Sequence, residues 1–402
     1  MTGEVRSTGN PSLTDELWDL AVVGAGPAGA TAALAALREQ PALRVLLLDR
    51  SDFPRDKACG DGIAPHVLDV LAGLGLGHLL DDRVPVRRLR LEHGAAAVER
   101  TMARPAWVVP RAVFDVRLVE AAVEAGAVLR RHRVLSVTLD GDALLLDGRT
   151  RARVVVGADG AHSVVRAAAG AAPGRRRAMA IRGYAPVSPH RSGKQVIVFG
   201  RHHQPSYAWS FDRGDGWANV GYGEVLHRGR RTPTRADHLD RLDDLLPGAA
   251  AGAEQWRGHH LPLSSWRWSQ PDGPLLLAGD AACLVNPMTG EGIYYAVATG
   301  RAAGRAAVEA IAAGSPASAG ARHRGSVRAL LGRHLKHTAA VGSLLAVPAL
   351  VPAGLRAAAG DQQVFDDLVE VGLGRGRVTG GVVRGLLGAA AGPSRARTAE
   401  RT

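Results

Sequence analysis

Hydrophobic and polar positions change their spacing several times along the chain, and each change marks an element. Trp18 to Val23 is a short apolar run of the kind seen in strands buried on both faces. A glycine-rich turn follows at Gly24 to Gly29, then Ala30 to Glu39 reads as an Ala/Leu helix and Leu43 to Leu48 as a second buried strand. This order, strand, turn, helix, strand, is a βαβ unit. Ser51 to Ile63 reads as a loop with mixed charges, Ala64 to Leu80 as a helix, and Val84 to Glu99 alternates in the manner of strands. Arg111 to Ala125 is amphipathic, with Val113, Leu118, Val119 and Ala122 on one side. Strands are expected near 127–133 and 134–139, then a hairpin through Gly141-Asp142 and a buried strand at Arg153 to Val156.

From Arg182 to Trp268 aromatic residues gather, and short alternating runs such as Gln195 to Phe199 and Trp217 to Tyr222 point to an antiparallel sheet. Leu275 to Leu277 returns to the buried-strand pattern, a glycine-bearing loop follows, and Gly292 to Ala313 reads as a long Ala-rich helix. The remainder to Leu387 reads as helices, and no internal repeat is visible. The pattern predicts an α/β architecture. One discontinuous domain spans 16–83, 106–170 and 271–317, and an antiparallel sheet domain spans 84–105 and 171–270. A helical C-terminal region covers 318–390, with disordered tails at 1–15 and 391–402.

Composition narrows the classes. The 402 residues allow a sizeable core, and two cysteines cannot build a disulfide framework, so a reducing cytoplasm is expected. Residues 1–14 lack the apolar core of a secretory signal, and 338–355 is broken by Pro348, Pro352 and glycines, so no spanning helix is expected there. The net charge of +12 raises the question of nucleic acid, but the arginines are dispersed and aromatics are only 4%. Attraction to anionic cofactors or membrane surfaces is the better reading.

The sharpest chemical signal is Gly24-Ala-Gly26-Pro27-Ala28-Gly29, a G-x-G-x-x-G that follows a strand and opens a helix. Gly24 permits the tight turn, Gly26 lets backbone approach a pyrophosphate, and Gly29 allows close helix–strand packing, with the phosphates at the positive helix N-terminus. Asp49, with Arg50 beside it, ends the second strand where a carboxylate can accept from ribose hydroxyls. This unit alone does not separate FAD from NAD.

Two later segments repeat the logic. Val154 to Gly157 is a buried strand ending in Ala158-Asp159-Gly160, and Leu275 to Ala278 runs into Gly279-Asp280, then Asn286-Pro287-Met288-Thr289-Gly290-Glu291-Gly292-Ile293 at a helix start. With these the chain resembles FAD-dependent oxidoreductases of the glutathione-reductase structural class, especially the aromatic-hydroxylase-like superfamily. The resemblance implies that Asp159, Gly160, Gly279 and Asp280 serve FAD, with Asp280 on the ribitol chain. It also implies that the turn from Pro287 presents the backbone of Gly290, Glu291, Gly292 and Ile293 to the flavin's pyrimidine edge, where a helix N-terminus stabilises the charge of a reduced flavin. Arg111 matches a family arginine that approaches the FAD from the side, with Asp115 one turn later as an orienting partner.

Pro54 to Ile63, containing Cys59-Gly60-Asp61, is similar to the cysteine- and glycine-containing loop of the geranylgeranyl reductase family. Tyr207-Ala-Trp209-Ser-Phe211 and Trp217 to Gly223 resemble that family's aromatic segment and paired-glycine strand. Asp61 stands where the family loop more often has Gly, and Asp212 where Pro often follows the aromatic segment. The resemblance implies a reductase that delivers hydride from reduced flavin to carbon–carbon double bonds of an isoprenoid or similar hydrophobic substrate. The alternatives are a flavin monooxygenase working through a C4a-hydroperoxide on a hydrophobic metabolite, and a flavoprotein without catalysis.

Tyr207, Trp209, Phe211, Trp217 and Tyr222 either line an apolar tunnel or pack the sheet. Cys59 either acts beside the flavin, its pKa responding to Arg55 and Lys57, or is an inert buried thiol. Cys283 reads as a packing residue. The pairs His202-His203 and His259-His260 lack metal-ligand spacing, so no metal is expected. With no second dinucleotide fingerprint, NADPH would bind transiently, or a ferredoxin would supply electrons. The basic stretch His323 to His337 and the apolar Leu344 to Leu355 suit either a peripheral membrane contact or two packed helices.

Overall fold

The computed structural model describes residues 16–391 except 173, 175, 201–203, 228, 267 and 269, so the expected tails lie outside it save for Ala391, which ends a helix. Its first sheet has seven strands. The parallel part runs Val128–Arg131, Val45–Asp49, Leu17–Val23 and Thr150–Gly157, in that spatial order. Thr150–Gly157 serves two partners on its far side. Its first half pairs antiparallel with the hairpin Val137–Asp140/Ala143–Leu146, and its second half takes Leu275–Leu277 in parallel. The strand ends at Val23, Gly157 and Leu277 therefore line up, which brings the three glycine-bearing segments to one edge of the sheet.

Helix Pro27–Glu39 packs on this sheet and against the long helix Ile293–Ala312. Their contact is backbone to backbone. A Cβ on Gly300 would collide with the Ala28 carbonyl, and one on Gly304 with the Ala32 carbonyl. Gly279 fits between the same two helices, where an added Cβ would lie 3.2 Å from both Ala28 and Ala296 Cβ atoms.

The second sheet has eight strands in the order Glu254–Pro262, Arg177–Pro186, Trp217–Val225, Ser206–Asp212, Lys194–Phe199, Pro85–His93, Ala96–Val108 and Gly62–Ile63. All neighbours are antiparallel except Lys194–Phe199 with Pro85–His93, which run parallel. That exception follows from the chain path, since the first pair of strands and the later strands arrive from different parts of the sequence. Of the C-terminal helices, Ala319–Leu344 packs on Ile293–Ala312 and Leu275–Leu277, Leu350–Gly360 and Gln362–Leu373 pack on Ala96–Val108, the first of them also on Pro85–His93, and Gly380–Ala391 packs on these two helices. Leu89, Val98, Met102, Val351, Leu355 and Phe365 form their shared core.

One expected helix is shorter than its pattern suggests. Pro65–Ala72 stops at Gly73, and Gly75 at φ +81° turns the chain so that Leu76 N–H bonds the Leu71 carbonyl, a glycine C-cap that ends the helix before Leu80.

The helix crossing gives opposite signs to one substitution. Gly300→Ala, usually favourable in a helix, destabilises the protein by about 1–3 kcal/mol because a fixed carbonyl occupies the space. Gly325→Ala, exposed and with nothing near its added Cβ, is neutral or stabilising by roughly 0.5–1 kcal/mol. Thermal midpoints of the two variants, one below and one at or above the parent, check this.

Candidate functional site

At the end of the first strand, Gly24 has φ +97°, and a Cβ there would lie 2.7 Å from the Ala158 carbonyl carbon. Only glycine satisfies both conditions. Gly26 then caps helix Pro27–Glu39 with no side chain on its amides, leaving Ala28 and its neighbours as a ready anion site. Asp49 holds this turn to the second strand by accepting Ala25 N–H at 2.9 Å and Ser51 N–H at 3.0 Å. Above the turn stand two cations. Arg111 pairs bidentately with the fully buried Asp115 at 2.6 and 2.9 Å, and Arg55 reaches both Asp49 and Asp115 at 3.5 Å. Gly24, Gly26, Pro27, Ala28, Asp49, Arg50, Arg55 and Arg111 all line one cavity of about 1180 Å³. Gly29 does not line it. It packs its Cα face on the Gly24 carbonyl, the packing role its place in the motif implies.

The same cavity is lined by Asp159, Gly160, Asp280, Pro287, Gly290, Glu291, Gly292 and Ile293. Asp159 caps the helix at Val164 with one oxygen, accepting its N–H at 2.7 Å, while Oδ1 is buried without a partner. Arg166 ties this segment to the later one by donating to the carbonyls of Ala161 and Ala281. Gly279 stays behind the wall, wedged between the helices. Asp280 receives Lys57 Nζ at 3.0 Å. Burial works to raise its carboxyl, but Lys57, with His259 nearby, prevails and holds it below the usual range. Glu291 has no such cation in contact. Burial pushes its carboxyl up to about 7, against the N–H of Tyr294 that it accepts at 2.8 Å. The residues fit FAD: unclaimed helix amides and two guanidinium groups for the pyrophosphate, and the unpartnered Asp159 oxygen with Asp280 for hydroxyls. Gly290–Ile293, at the start of a helix, would face the flavin ring.

Cys59 and Gly60 line the cavity opposite the late turn, in a loop clamped to the second sheet at two points. Asp56 binds Arg182 and, at 2.7 Å, Arg257. Asp61, fully buried at φ +58°, accepts the Tyr184 hydroxyl at 2.6 Å and Asn219 Nδ2 at 2.9 Å. Asn219 also donates to the Cys59 carbonyl at 2.8 Å and accepts Trp209 Nε1 at 2.8 Å. These bonds offset the strain of a left-handed aspartate where glycine is the easier residue. Burial still raises the Asp61 carboxyl to about 6. Burial likewise pushes the Cys59 thiol up to about 11, with Arg111 pulling the other way. Of the nearby cations it is Arg111, in place of the expected Arg55 and Lys57, that acts on this thiol.

Tyr207, Trp209 and Phe211 alternate onto the cavity face of their strand and line the cavity. Gly221 and Gly223 lie across from Trp209 and Tyr207, and a Cβ on Gly221 would meet the Trp209 ring. Gly221 is thus the space the indole fills, whereas a Cβ on Gly223 would meet Ala180. Tyr207 donates to the Thr289 carbonyl, tying the aromatic strand to the late turn. Tyr222 and Trp217 do not line the cavity. Tyr222 lies opposite Ala208 and so points to the other face, into the cluster with Leu242 and against His238, while Trp217 sits at the far end of its strand.

Beyond the aromatic residues the cavity continues into an apolar lobe walled by Leu89, Ile197, Leu345, Val351, Leu355, Val382 and Leu386. Sequence reading missed this wall, as well as the Asp61–Tyr184–Asn219 network and the unpaired carboxyl of Glu291. The lobe's signal was present in the apolar run Leu344 to Leu355, which has the composition of a tunnel wall as well as that of a packed helix. Among the described residues no group of three His, Cys, Asp or Glu is placed to hold a metal ion, and His202 and His203 lie outside them.

Residues 18–315 match the family model of the FAD binding domain. The menaquinone reductase of Mycolicibacterium smegmatis is 35% identical over 71% of this chain and 75% of its own. Digeranylgeranylglycerophospholipid reductase 1 of Methanopyrus kandleri is 33% identical over 73% of this chain and 81% of its own. The geranylgeranyl bacteriochlorophyll reductase-like protein of Thermoplasma acidophilum shares the fold, with a TM-score of 0.71 over 94% of this chain and 96% of that one at 22% identity. Three glycine-bearing strand ends around one cavity, read with these likenesses, lead to one assignment: the chain belongs to the FAD binding domain family and, within it, to the geranylgeranyl reductase group of FAD-dependent oxidoreductases.

Proposed function

We propose that this oxidoreductase reduces isolated carbon–carbon double bonds in a long prenyl-type chain, with NADPH or a ferredoxin as the transient source of electrons. The observation that carries the proposal is the single cavity that joins the cofactor segments to an apolar lobe. At about 1180 Å³ it exceeds the roughly 300–1,000 Å³ of a single-ligand pocket. A dinucleotide occupies the polar end, and an extended hydrocarbon suits the other.

Reduced FAD, when bound, would supply the hydride. The chain must supply the second hydrogen as a proton, because an isolated alkene cannot take up hydride alone. Cys59 has the right attributes: it lines the cavity beside the aromatic residues, and its raised pKa keeps it a protonated thiol at neutral pH. Asp56 and Asp61 tether its loop to the second sheet through Arg182 and Tyr184, and this positions the thiol. Trp209 and Phe211 close over Gly60 and shed water from this corner. Glu291 sits at the late turn, where the helix start favours negative charge. As a neutral acid below about 7 it leaves that field intact, and ionised it opposes it.

Anaerobic turnover of the FAD-reduced protein with a polyprenyl substrate yields a product two mass units heavier per bond reduced. A product that forms only with O₂ and gains oxygen identifies a monooxygenase instead.

Cys59→Ala lowers the rate of product formation by about 10²–10⁴-fold while FAD absorbance is retained, and Cys59→Ser recovers part of the loss. Measured across pH, the parent rate falls as pH rises through about 7, where Glu291 ionises. Glu291→Gln removes that descending limb. An unchanged limb in the glutamine variant excludes Glu291 as its source.

A further inference from the structure

The cavity mouth carries a second message. Leu344, Val383 and Leu387 line the cavity and are also 54%, 45% and 66% exposed. A residue that meets both conditions marks an opening, so the apolar lobe reaches solvent between the end of helix Ala319–Leu344 and helix Gly380–Ala391. The connection that follows, Ala346, Val347, Pro348 and Ala349, is exposed throughout and bears no charge, with Val347 at 47%. An uncharged rim around an apolar opening is costly to leave in water.

Charge indicates what covers it. No Asp or Glu occurs between Glu309 and Asp361, nor from Val371 to Ala391. Cations do occur there. Arg333 and Lys336 are exposed at helical spacing from Leu344, on the same stripe, and Arg384 is exposed between Val383 and Leu387. Apolar side chains at the centre and long basic ones around them match an interface between acyl chains and anionic headgroups, with the cations reaching outward. None of the described helices is long and apolar enough to cross a membrane, so the contact is one of surface insertion.

We infer that the rim formed by Leu344, Ala346, Val347, Val383 and Leu387 docks on an anionic lipid bilayer and admits the prenyl chain from it directly into the lobe. This deepens the reading above by naming where the substrate comes from, and its first test does not need turnover.

The full-length FAD-loaded protein is mixed with vesicles of phosphatidylcholine alone or with added phosphatidylglycerol, then sedimented. The parent sediments with the anionic vesicles, less with the neutral ones, and less as salt rises. Replacing two rim residues that do not line the cavity, Ala346→Asp with Val347→Asp, lowers vesicle affinity on the order of tenfold or more, since two carboxylates enter an apolar interface. The same variant keeps its FAD absorbance and thermal midpoint. It still reduces a short prenyl alcohol in solution, but not a long polyprenyl substrate embedded in vesicles. A parent that stays in the supernatant with both vesicles overturns the inference, and so does a variant that binds as tightly as the parent. Light scattering that finds a dimer split by the two aspartates assigns the rim to a second copy of the chain, which also overturns it. If the protein binds vesicles but reduces neither substrate, the surface stands and the proposed reaction falls.

Discussion

The contact of Gly300 with the Ala28 carbonyl, and of Gly304 with Ala32 one turn on, fixes the separation of two helix starts that are far apart in the sequence. One start presents uncapped amides after Gly26, and the other opens at Gly292–Ile293. A side chain at either glycine would push the helices apart and lengthen the interval between the two ends of the dinucleotide site. Gly279 adds a third constraint, because it brings Asp280 between the same two helices. The distance from phosphate end to ring end is therefore set by backbone packing, which is stiff, and not by long side chains, which are not.

Electrostatics complete what packing begins. The cofactor end gathers Arg55, Lys57 and Arg111 close to Asp49, Asp115 and Asp280, and each carboxylate is matched to a cation. Such pairs are held in place by one another, because removing one partner leaves a buried charge uncompensated. Toward the aromatic end this matching stops. Asp61 accepts from neutral donors on one oxygen while the other is buried without a partner, Glu291 accepts backbone N–H, and Cys59 sits near a guanidinium that is already committed to Asp115. The unmatched acids are the ones whose protons stay on to higher pH. The boundary between paired and unpaired groups thus separates the region that binds from the region that can hold a proton.

What the sequence revealed follows how local each signal is. The glycine turn at Gly24, the Asp159-Gly160 segment and the turn at Pro287 to Ile293 each specify backbone geometry within a few residues, so their meaning is legible without a fold. Alternation likewise sorts Tyr207, Trp209 and Phe211 onto one face. Tyr222 shows the limit. Its strand was recognised, but its face depends on register against Ser206–Asp212, which no single strand encodes. Arg182 and Tyr184 meet Asp56 and Asp61 across more than a hundred positions, and nothing local marks them as partners. The apolar wall of the lobe failed for a different reason: Leu345, Val351 and Leu355 obey the same helical pattern whether they face a neighbour or a cavity.

The two kinds of wall also differ in how freely they can change. The cofactor end is built from strand ends and glycines whose conformations leave almost no substitution open, since Gly24 and Gly300 each exclude even a methyl group. The lobe is built from helix faces and large aliphatic side chains, where exchange of one apolar residue for another of similar size costs little. A chamber of that kind can be lengthened, narrowed or reopened without disturbing the dinucleotide site. The Cys59 loop belongs to both regions, fastened to the second sheet through Asp56 and Asp61 while lining the same cavity as the late turn. If the apolar lobe holds substrate and Cys59 the proton, as proposed above, a change in the lobe reaches the thiol through this loop, which makes its two aspartate tethers as consequential as the thiol between them.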